Sequence, residues 1–339
     1  MNDLPTVPLP RRPLRVAFDA GHLQERGTDV ALFDYAHFNE TLLGNRSRIL
    51  CPAQADIRCI DKFRERFSVW LYRSPTELRE ALQDVDVYYR IDHGADHGEP
   101  VVRPPNGISV VHAVFEARQP HGDVYAAVSD WVATRRGLGD VPAVPHIVHL
   151  PDDDGDLRDE LGIPPDAVVL GRHGGPDTFD IPFVHDVVRE IVPRRDDLWF
   201  VFLNTRPFMP PHPRVLHLDA TSDMVRKTRF INSCDAMLHA RREGETFGLS
   251  VGEFSIRNKP VLTWTDGTDN HHIDVLREKG IYYRTAEELR TLLMGIHGLQ
   301  GDYDAFSERF SPAVVMDRFH EVFLEPARRR QDRPVPALV

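Results

Sequence analysis

Cysteine and lysine are both scarce in this chain. The three cysteines among 339 residues cannot all pair with one another, and their positions show no metal-ligand spacing. A reducing, cytoplasmic location is therefore the expectation. Only four of the 41 basic residues are lysines. The base composition of the genome explains this excess of arginine more easily than function does.

A surplus of basic charge and a long apolar run are missing as well. The formal net charge of -11 argues against a nucleic-acid partner, because phosphate backbones are bound by clustered Lys and Arg. No run approaches the ~20 apolar residues of a membrane-spanning helix. Residues 1–14 contain no apolar core of the kind found in signal peptides. We therefore expect no stable insertion into a membrane.

The chain does contain a long alternation of apolar runs and helical segments, which predicts an α/β fold with doubly wound parallel sheets. Its length favours two domains over one. Ser74 and Ser129 are predicted helix N-caps, and Thr28 is a third. The predicted strands are 14–18, 47–50, 85–90, 108–112, 124–128, 168–171, 199–203, 215–218, 236–239 and 261–264. The predicted helices begin near residue 28 and cover 75–83, 131–136, 183–191, 223–231, 251–258, 273–279 and 286–297.

An acidic, turn-rich segment at residues 151–156 separates the two halves of this alternation and is the expected link between lobes. The expected parts are an N-terminal extension (1–13), a first lobe (14–148), a linker (149–158), a second lobe (159–305), a C-terminal helix that could return to the first lobe (306–326) and a flexible tail (327–339). A ligand is then expected in the cleft between the lobes.

The segment Arg242–Glu253 places two carboxylates, Glu245 and Glu253, eight positions apart around a glycine-containing turn. Residues 254–258 indicate the first turns of a helix, and Lys259-Pro260 ends it. A turn leading into a helix N-terminus offers free N–H groups that bind phosphate. Carboxylates beside it only accept hydrogen bonds, which suits the hydroxyls of a sugar. Phosphate flanked by hydroxyls describes a nucleotide sugar.

The same segment resembles the Glu-x7-Glu signature of retaining glycosyltransferases of the GT-B fold, family four. It stands here as Glu245-Thr-Phe-Gly-Leu249, then Glu253, then Asn258-Lys-Pro-Val261. The resemblance implies two Rossmann-like lobes around an interdomain cleft, with the acceptor bound by the first lobe and the donor by the second. It also implies a UDP- or GDP-sugar as co-substrate, neither cofactor nor metal, and transfer with retention of configuration. A small soluble acceptor or a glycan is preferred, and the oligomeric state is left open.

The resemblance also assigns roles to individual residues. Glu245 would orient the transferred sugar and offset positive charge in the transition state, and Glu253 would hold the ribose hydroxyls. The N–H groups of Phe247, Gly248 and Leu249 would stabilise the leaving diphosphate. His112 follows the apolar run 108–111 and would contact the sugar from the cleft, whereas a hydrogen-bonded structural histidine is the alternative.

Arg172 closes the first strand of the second lobe, where the family has an arginine for the donor diphosphate. The family's lysine about five residues later is missing. Three explanations remain open: Gly174 and Gly175 bring backbone N–H groups to the phosphate, another cation substitutes, or the donor site is impaired. The candidate cations are Arg241, Arg242 and Lys227.

The loop from Gly21 to Thr28 joins the first strand to a helix, and it resembles the family's glycine-rich loop facing donor phosphate and acceptor. Arg26-Gly27 stands there in place of paired glycines. No metal is expected at Asp92-His93, at Asp96-His97 or at His271-His272, because 17 histidines make such pairs common. The rival functions are a nucleotide-sugar epimerase or hydrolase of the same fold and a degenerate protein that only binds sugar nucleotides.

Overall fold

The computed structural model describes residues 12–98 and 101–332, and these ranges form two six-stranded parallel sheets. The sheet of the first lobe has the order β3-β2-β1-β4-β5-β6, and that of the second has the order β14-β12-β10-β7-β8-β9. A short ribbon pairs β11 with β13. The strands are β1 (Arg15–Asp19), β2 (Arg46–Pro52), β3 (Ser68–Tyr72), β4 (Val87–Asp92), β5 (Ile108–Ala113), β6 (Val124–Ala127), β7 (Val168–His173), β8 (Leu198–Leu203), β9 (Val215–Leu218), β10 (Ala236–His239), β11 (Gly244–Glu245), β12 (Val261–Trp264), β13 (Asp269–Asn270) and β14 (Gly280–Tyr283).

Helices connect the strands and cover both faces of each sheet, as parallel sheets require. A 3-10 turn at Arg277–Lys279 follows α9, and a π-helical turn at His320–Leu324 joins the last two helices. The helices are α1 (Gly27–Thr41), α2 (Ile60–Arg66), α3 (Pro75–Ala81), α4 (Asp130–Arg135), α5 (Arg158–Leu161), α6 (Pro182–Ile191), α7 (Met224–Ser233), α8 (Leu249–Ser255), α9 (His271–Leu276), α10 (Ala286–Gly295), α11 (Ser307–Phe310), α12 (Pro312–Phe319) and α13 (Glu325–Gln331). Within the described ranges, none of them has the length and apolar character needed to cross a membrane.

The strand orders fix where a ligand can bind. In the first sheet the order reverses between β1 and β4, and in the second it reverses between β7 and β10. Loops leaving the carboxyl ends of neighbouring strands diverge at such a point and open a crevice. The loops after β1, β7 and β10 therefore border the cleft between the lobes.

The α/β fold with two doubly wound sheets is confirmed, and each predicted strand overlaps an observed one. The strands β3 and β14 were not predicted. Both are edge strands, and their short apolar runs at 69–72 and 281–283 are mostly half-exposed. Ser74 and Ser129 are confirmed as N-caps, because each side-chain oxygen accepts a hydrogen bond from the helical N–H three residues later.

Two helix starts were predicted wrongly. The first helix begins at Gly27 with Arg26 as its N-cap, so Thr28 lies inside the first turn and does not cap it. The helix after Glu245 covers Leu249–Ser255 because Gly248, with φ of 91°, turns the chain into it earlier than the apolar pattern indicated. Glu253 therefore lies within this helix.

The C-terminal helices pack on the first lobe. The rings of Phe319 and Tyr35 lie 5.0 Å apart, and Arg330 donates to the carbonyl of Gly107 at 2.8 Å. Where the chain crosses back, the N–H of Val148 bonds the carbonyl of Phe310 at 2.9 Å. Residues 327–331 of the expected tail are helical, and Arg330 among them makes one of these contacts. Residues 1–11 and 333–339 lie outside the described residues, and the domain limits as such stay a prediction.

Candidate active site

Two adjoining cavities lie at the carboxyl ends of the strands, between the sheets. The first-lobe cavity, of about 380 Å³, is lined mainly by the loops after β1, β4 and β5. The second-lobe cavity, of about 570 Å³, is lined mainly by the loop after β7 and by the start of α8. Both cavities share five lining residues, namely Arg26, Gly27, Arg241, Glu245 and Leu249. A ligand that occupied both would pass directly beside Glu245.

Glu245 ends the short strand β11 and is held by two side chains of its own lobe. Arg241 donates to Oε2 at 2.9 Å, and Nε2 of His239 lies 3.3 Å from Oε1. Burial acts to raise the pKa of Glu245, but the hydrogen bond from His239 and the charge of Arg241 lower it to about 2. The carboxylate is therefore ionised at neutral pH and faces the junction of the two cavities.

Glu253 borders the second-lobe cavity but is more enclosed, with 1 % of its surface exposed. Nζ of Lys227 lies 2.5 Å from Oε1, and Nε2 of His173 lies 2.9 Å from Oε2. Burial favours the protonated acid, yet the charge of Lys227 brings the pKa of Glu253 down to about 2. Any hydroxyl that Glu253 receives would join a carboxylate that already has two partners.

The turn between the two glutamates is anchored by Phe247. Its ring is buried and lies 5.2 Å from the rings of both His146 and Phe310, which belong to different parts of the chain. Gly248 has φ of 91°, and a Cβ there would lie 3.0 Å from that of His272. Leu249 then begins α8 and lines both cavities. The turn is thus a fixed wall of the cleft.

Arg172 lies on the wall of the second-lobe cavity with 3 % of its surface exposed. Its guanidinium donates to Thr205 Oγ1 at 2.5 Å, to the carbonyl of Gly175 at 3.2 Å and to Thr178 Oγ1. Burial lowers the pKa of Arg172 to about 10, so it stays charged. A Cβ on Gly174 would lie 2.7 Å from Nη2 of Arg172, so glycine leaves room for this fork. Arg172 therefore also braces the loop after β7.

The cations around the second-lobe cavity differ in how they are paired. Lys227 is bound to Glu253, and Arg241 to Glu245. Arg26 lines both cavities, and its guanidinium makes no hydrogen bond or ion pair with any residue in the described ranges. Of the substitutes named from the sequence, Lys227 and Arg241 line the second-lobe cavity. The other, Arg242, does not line it, and its N–H binds Asp180.

The loop after β1 reaches the cleft as expected. Gly21 lines the first-lobe cavity, and Gly27 begins α1 at the junction of the two cavities. Asp29 braces this loop by accepting from the N–H of Gln24 and from Nδ1 of His22, each at 2.8 Å. A Cβ on Gly27 would lie 3.8 Å from Cδ2 of Leu249, so the two lobes approach closely here.

His112 does not point into the cleft, contrary to the expectation. It is fully buried, with Nε2 2.8 Å from the carbonyl of Val144 and Nδ1 2.6 Å from the hydroxyl of Tyr89. A carbonyl only accepts, so Nε2 carries the proton and Nδ1 accepts from the tyrosine. Burial lowers the pKa of His112 to about 4, which keeps the ring neutral. These contacts favour the structural alternative.

Asp19 is a site residue that the sequence reasoning missed. It is 4 % exposed, borders the first-lobe cavity and accepts from the hydroxyls of Tyr88 at 2.5 Å and Tyr72 at 3.2 Å. Burial raises the pKa of Asp19 to about 6. The available signal was its place directly after β1, where the strand order reverses. Among the described residues, no group of three or more His, Cys, Asp or Glu is placed to hold a metal ion.

Comparison with known proteins finds solved structures of similar fold but no match in sequence. No protein-family model matches the chain, and no curated protein matches it in sequence. HepE of Anabaena, solved in complex with UDP-glucose, has a TM-score of 0.68 at 14% identity over 91% of this chain and 98% of its own. AviGT4, a glycosyltransferase involved in avilamycin A biosynthesis, has a TM-score of 0.60 at 16% identity over 95% and 99%. A Listeria monocytogenes protein assigned as a UDP-N-acetylglucosamine 2-epimerase has a TM-score of 0.60 at 11% identity over 97% and 100%.

These likenesses extend over nearly the whole of each chain. At such low identity they establish the fold and nothing more about the reaction. The chain has the two-lobed GT-B fold of its glycosyltransferase neighbours, and the cavities lie in the cleft of that fold.

Proposed function

We propose that this chain is a glycosyltransferase, which moves a sugar from a UDP-sugar to an acceptor hydroxyl with retention of configuration. The observation that carries the proposal is the ionised, half-buried Glu245 at the junction of two cavities in a GT-B cleft. A donor in the second-lobe cavity and an acceptor in the first-lobe cavity would meet at this carboxylate. UDP is preferred over GDP because neighbours of the same fold were solved with UDP or UDP-glucose.

Charge complementarity supports the donor side of this proposal. The leaving diphosphate gains negative charge as the glycosidic bond breaks, and cations fixed beforehand at that place stabilise it. Arg172 and Arg26 border the second-lobe cavity from opposite lobes. Arg26, lacking a partner among the described residues, is our choice for the cation that stands in for the family's lysine.

Glu245 serves the other half of the charge separation. The transferred sugar becomes partly positive as the bond breaks, and an anion held at its ring lowers the energy of that state. Because Arg241 and His239 orient both oxygens of Glu245, the carboxylate would need little rearrangement during the reaction. Neither a covalent intermediate nor a bound metal is part of the proposal. A small soluble acceptor or a glycan is the proposed acceptor class.

The test pairs nucleotide binding with turnover. Thermal shift with UDP, GDP and their sugars identifies the donor, since specific binding raises Tm by mass action. Glu245→Gln keeps the size of the side chain and removes its charge, so we expect UDP affinity to persist while transfer falls by about a hundredfold or more. A Glu245→Gln enzyme with wild-type turnover would refute the assignment.

A nucleotide-sugar epimerase is the second candidate, favoured by the epimerase-assigned neighbour with the same fold. Incubation with the donor alone separates the two functions. An epimerase converts the sugar without an acceptor, whereas a transferase releases nucleoside diphosphate in proportion to added acceptor. Binding of UDP without turnover under either condition would leave only a sugar-nucleotide-binding protein.

A further inference from the structure

The strand that presents Glu245 is also held by the opposite lobe. Thr246 and Asp269, both of the second lobe, receive hydrogen bonds from residues at the two ends of α4 in the first lobe. We call this set of contacts the interlobe clasp, and its members are Ser129, Trp131, Arg136, Thr246 and Asp269.

Asp269 is the centre of the clasp. Nε1 of Trp131 and Nε of Arg136 each donate to Oδ1 at 2.9 Å, and Nη2 of Arg136 donates to Oδ2 at 3.0 Å. A carboxylate that receives a guanidinium through two parallel bonds is fixed in direction as well as in place. Asp269 is 8 % exposed, so water competes little for these bonds.

The backbone of Asp269 transmits this fixation to Glu245. The pairing of β11 with β13 sets Gly244 opposite Asp269 and Glu245 opposite Asn270. The N–H of Asp269 also bonds the carbonyl of Glu243 at 2.7 Å. The contact is so close that a Cβ on Gly244 would lie 1.9 Å from the carbonyl oxygen of Asp269. A shift of Asp269 would therefore carry β11 with it.

Ser129 completes the clasp on the other side of Glu245. Its hydroxyl donates to the carbonyl of Thr246 at 2.6 Å, and its oxygen accepts the N–H of Val132 as the cap of α4. The side chain of Glu245 is thus held by its own lobe, through Arg241 and His239, while the backbone before and after it is tied to α4. The observed place of Glu245 is therefore set by contacts from both lobes.

We propose that the interlobe clasp couples lobe closure to the placement of Glu245, with Asp269 as a positioning residue. This rests on the proposed function, in which Glu245 lies beside the reacting sugar. The clasp touches neither cavity at Asp269, so its loss affects the reaction through geometry and leaves nucleotide binding in place. A displacement of about 1 Å at a reacting group costs about a hundredfold in rate.

The test compares Asp269→Asn with a matched control. Asp153 receives Arg229 through the same two-bond geometry, at 2.9 and 3.0 Å, and lines neither cavity, so Asp153→Asn removes a similar guanidinium pair that does not involve β11 or α4. We expect Asp269→Asn to lower kcat about tenfold or more, with KM for the donor and Kd for UDP within about threefold. Arg136→Lys keeps the charge without the fork and should give an intermediate kcat. Asp153→Asn should match wild type.

Hydrogen exchange provides a readout that needs no turnover. Amides of residues 243–247 should exchange faster in Asp269→Asn and at the wild-type rate in Asp153→Asn. Equal exchange rates in Asp269→Asn and Asp153→Asn would refute the proposed role of the clasp. Faster exchange in Asp269→Asn together with a wild-type kcat would refute it as well. If the wild-type protein turns over no nucleotide sugar, the proposed function fails, and the exchange comparison alone decides whether the clasp holds this segment.

Discussion

Removing the charge of Arg26 tests whether this residue replaces the missing lysine of the donor site. Arg26→Gln deletes a cation that borders both cavities and makes no hydrogen bond or ion pair in the described ranges; its charge acts on nearby Asp29, which keeps His22 as its partner. A hydrogen bond between charged groups contributes roughly 1.5–3 kcal/mol. Because Arg26 is exposed, the lower end applies, and we expect Kd for UDP to rise by about tenfold.

The control is Arg58→Gln, because Arg58 lines the same cavity but already pairs with Asp56. Titration calorimetry with UDP and with uridine separates phosphate binding from base binding. Arg26→Gln should weaken UDP, leave uridine unchanged and lose its effect as salt screens the exposed charge. If Arg26→Gln and Arg58→Gln bound UDP with the same affinity, the diphosphate would not lie against Arg26, and the argument from the unpaired cation would be wrong.

Three further predictions concern stability. Gly244→Ala places a Cβ against the carbonyl of Asp269 on a residue with left-handed backbone angles, so the free energy of unfolding in urea should fall by more than about 2 kcal/mol. The control is Gly295→Ala, where a Cβ meets no other atom, and it should leave the free energy of unfolding unchanged or raise it. Glu253, with a pKa of about 2 when folded against an ordinary 4.5, stabilises the protein above its unfolded pKa and loses that contribution as pH falls toward 2. Glu253→Gln should therefore lower Tm at pH 7 and flatten the fall of Tm between pH 5 and pH 3. An unchanged dependence of Tm on pH would contradict the lowered pKa of Glu253. His112→Ala leaves the hydroxyl of Tyr89 and the carbonyl of Val144 without their partner, so Tm should drop. UDP affinity, measured well below Tm, should persist. Loss of turnover without a drop in Tm would show that His112 takes part in the reaction.

The sequence predicted most of the fold, because strands buried on both faces leave unbroken apolar runs such as that of β8. Burial on both faces also explains why His112, on β5, was wrongly expected to point into the cleft. A strand that is buried on both faces has no polar side to show which way its last side chain points. The edge strands β3 and β14 were missed, although each contains a short apolar run, at 69–72 and 281–283.

The positions of candidate site residues could be predicted where they belong to a short sequence motif. They could not be predicted where they depend on ion pairs between residues distant in the chain. Glu245, the turn after it and the loop around Arg26 all line the cavities, and their roles in a reaction stay a prediction. The pairing of Lys227 with Glu253 joins residues 26 positions apart and decides which cation is available. Asp269 and Arg136 meet across 133 positions, a contact that only the folded chain reveals.

The polypeptide passes between the lobes twice, once near Val148 and again near Phe310, and these two passages are hydrogen-bonded to each other. One covalent connection would let the lobes swivel about it in any direction. Two connecting segments that run side by side allow the lobes to bend about one axis and resist rotation about the others. Opening of the cleft about that axis would separate the two sides of the interlobe clasp.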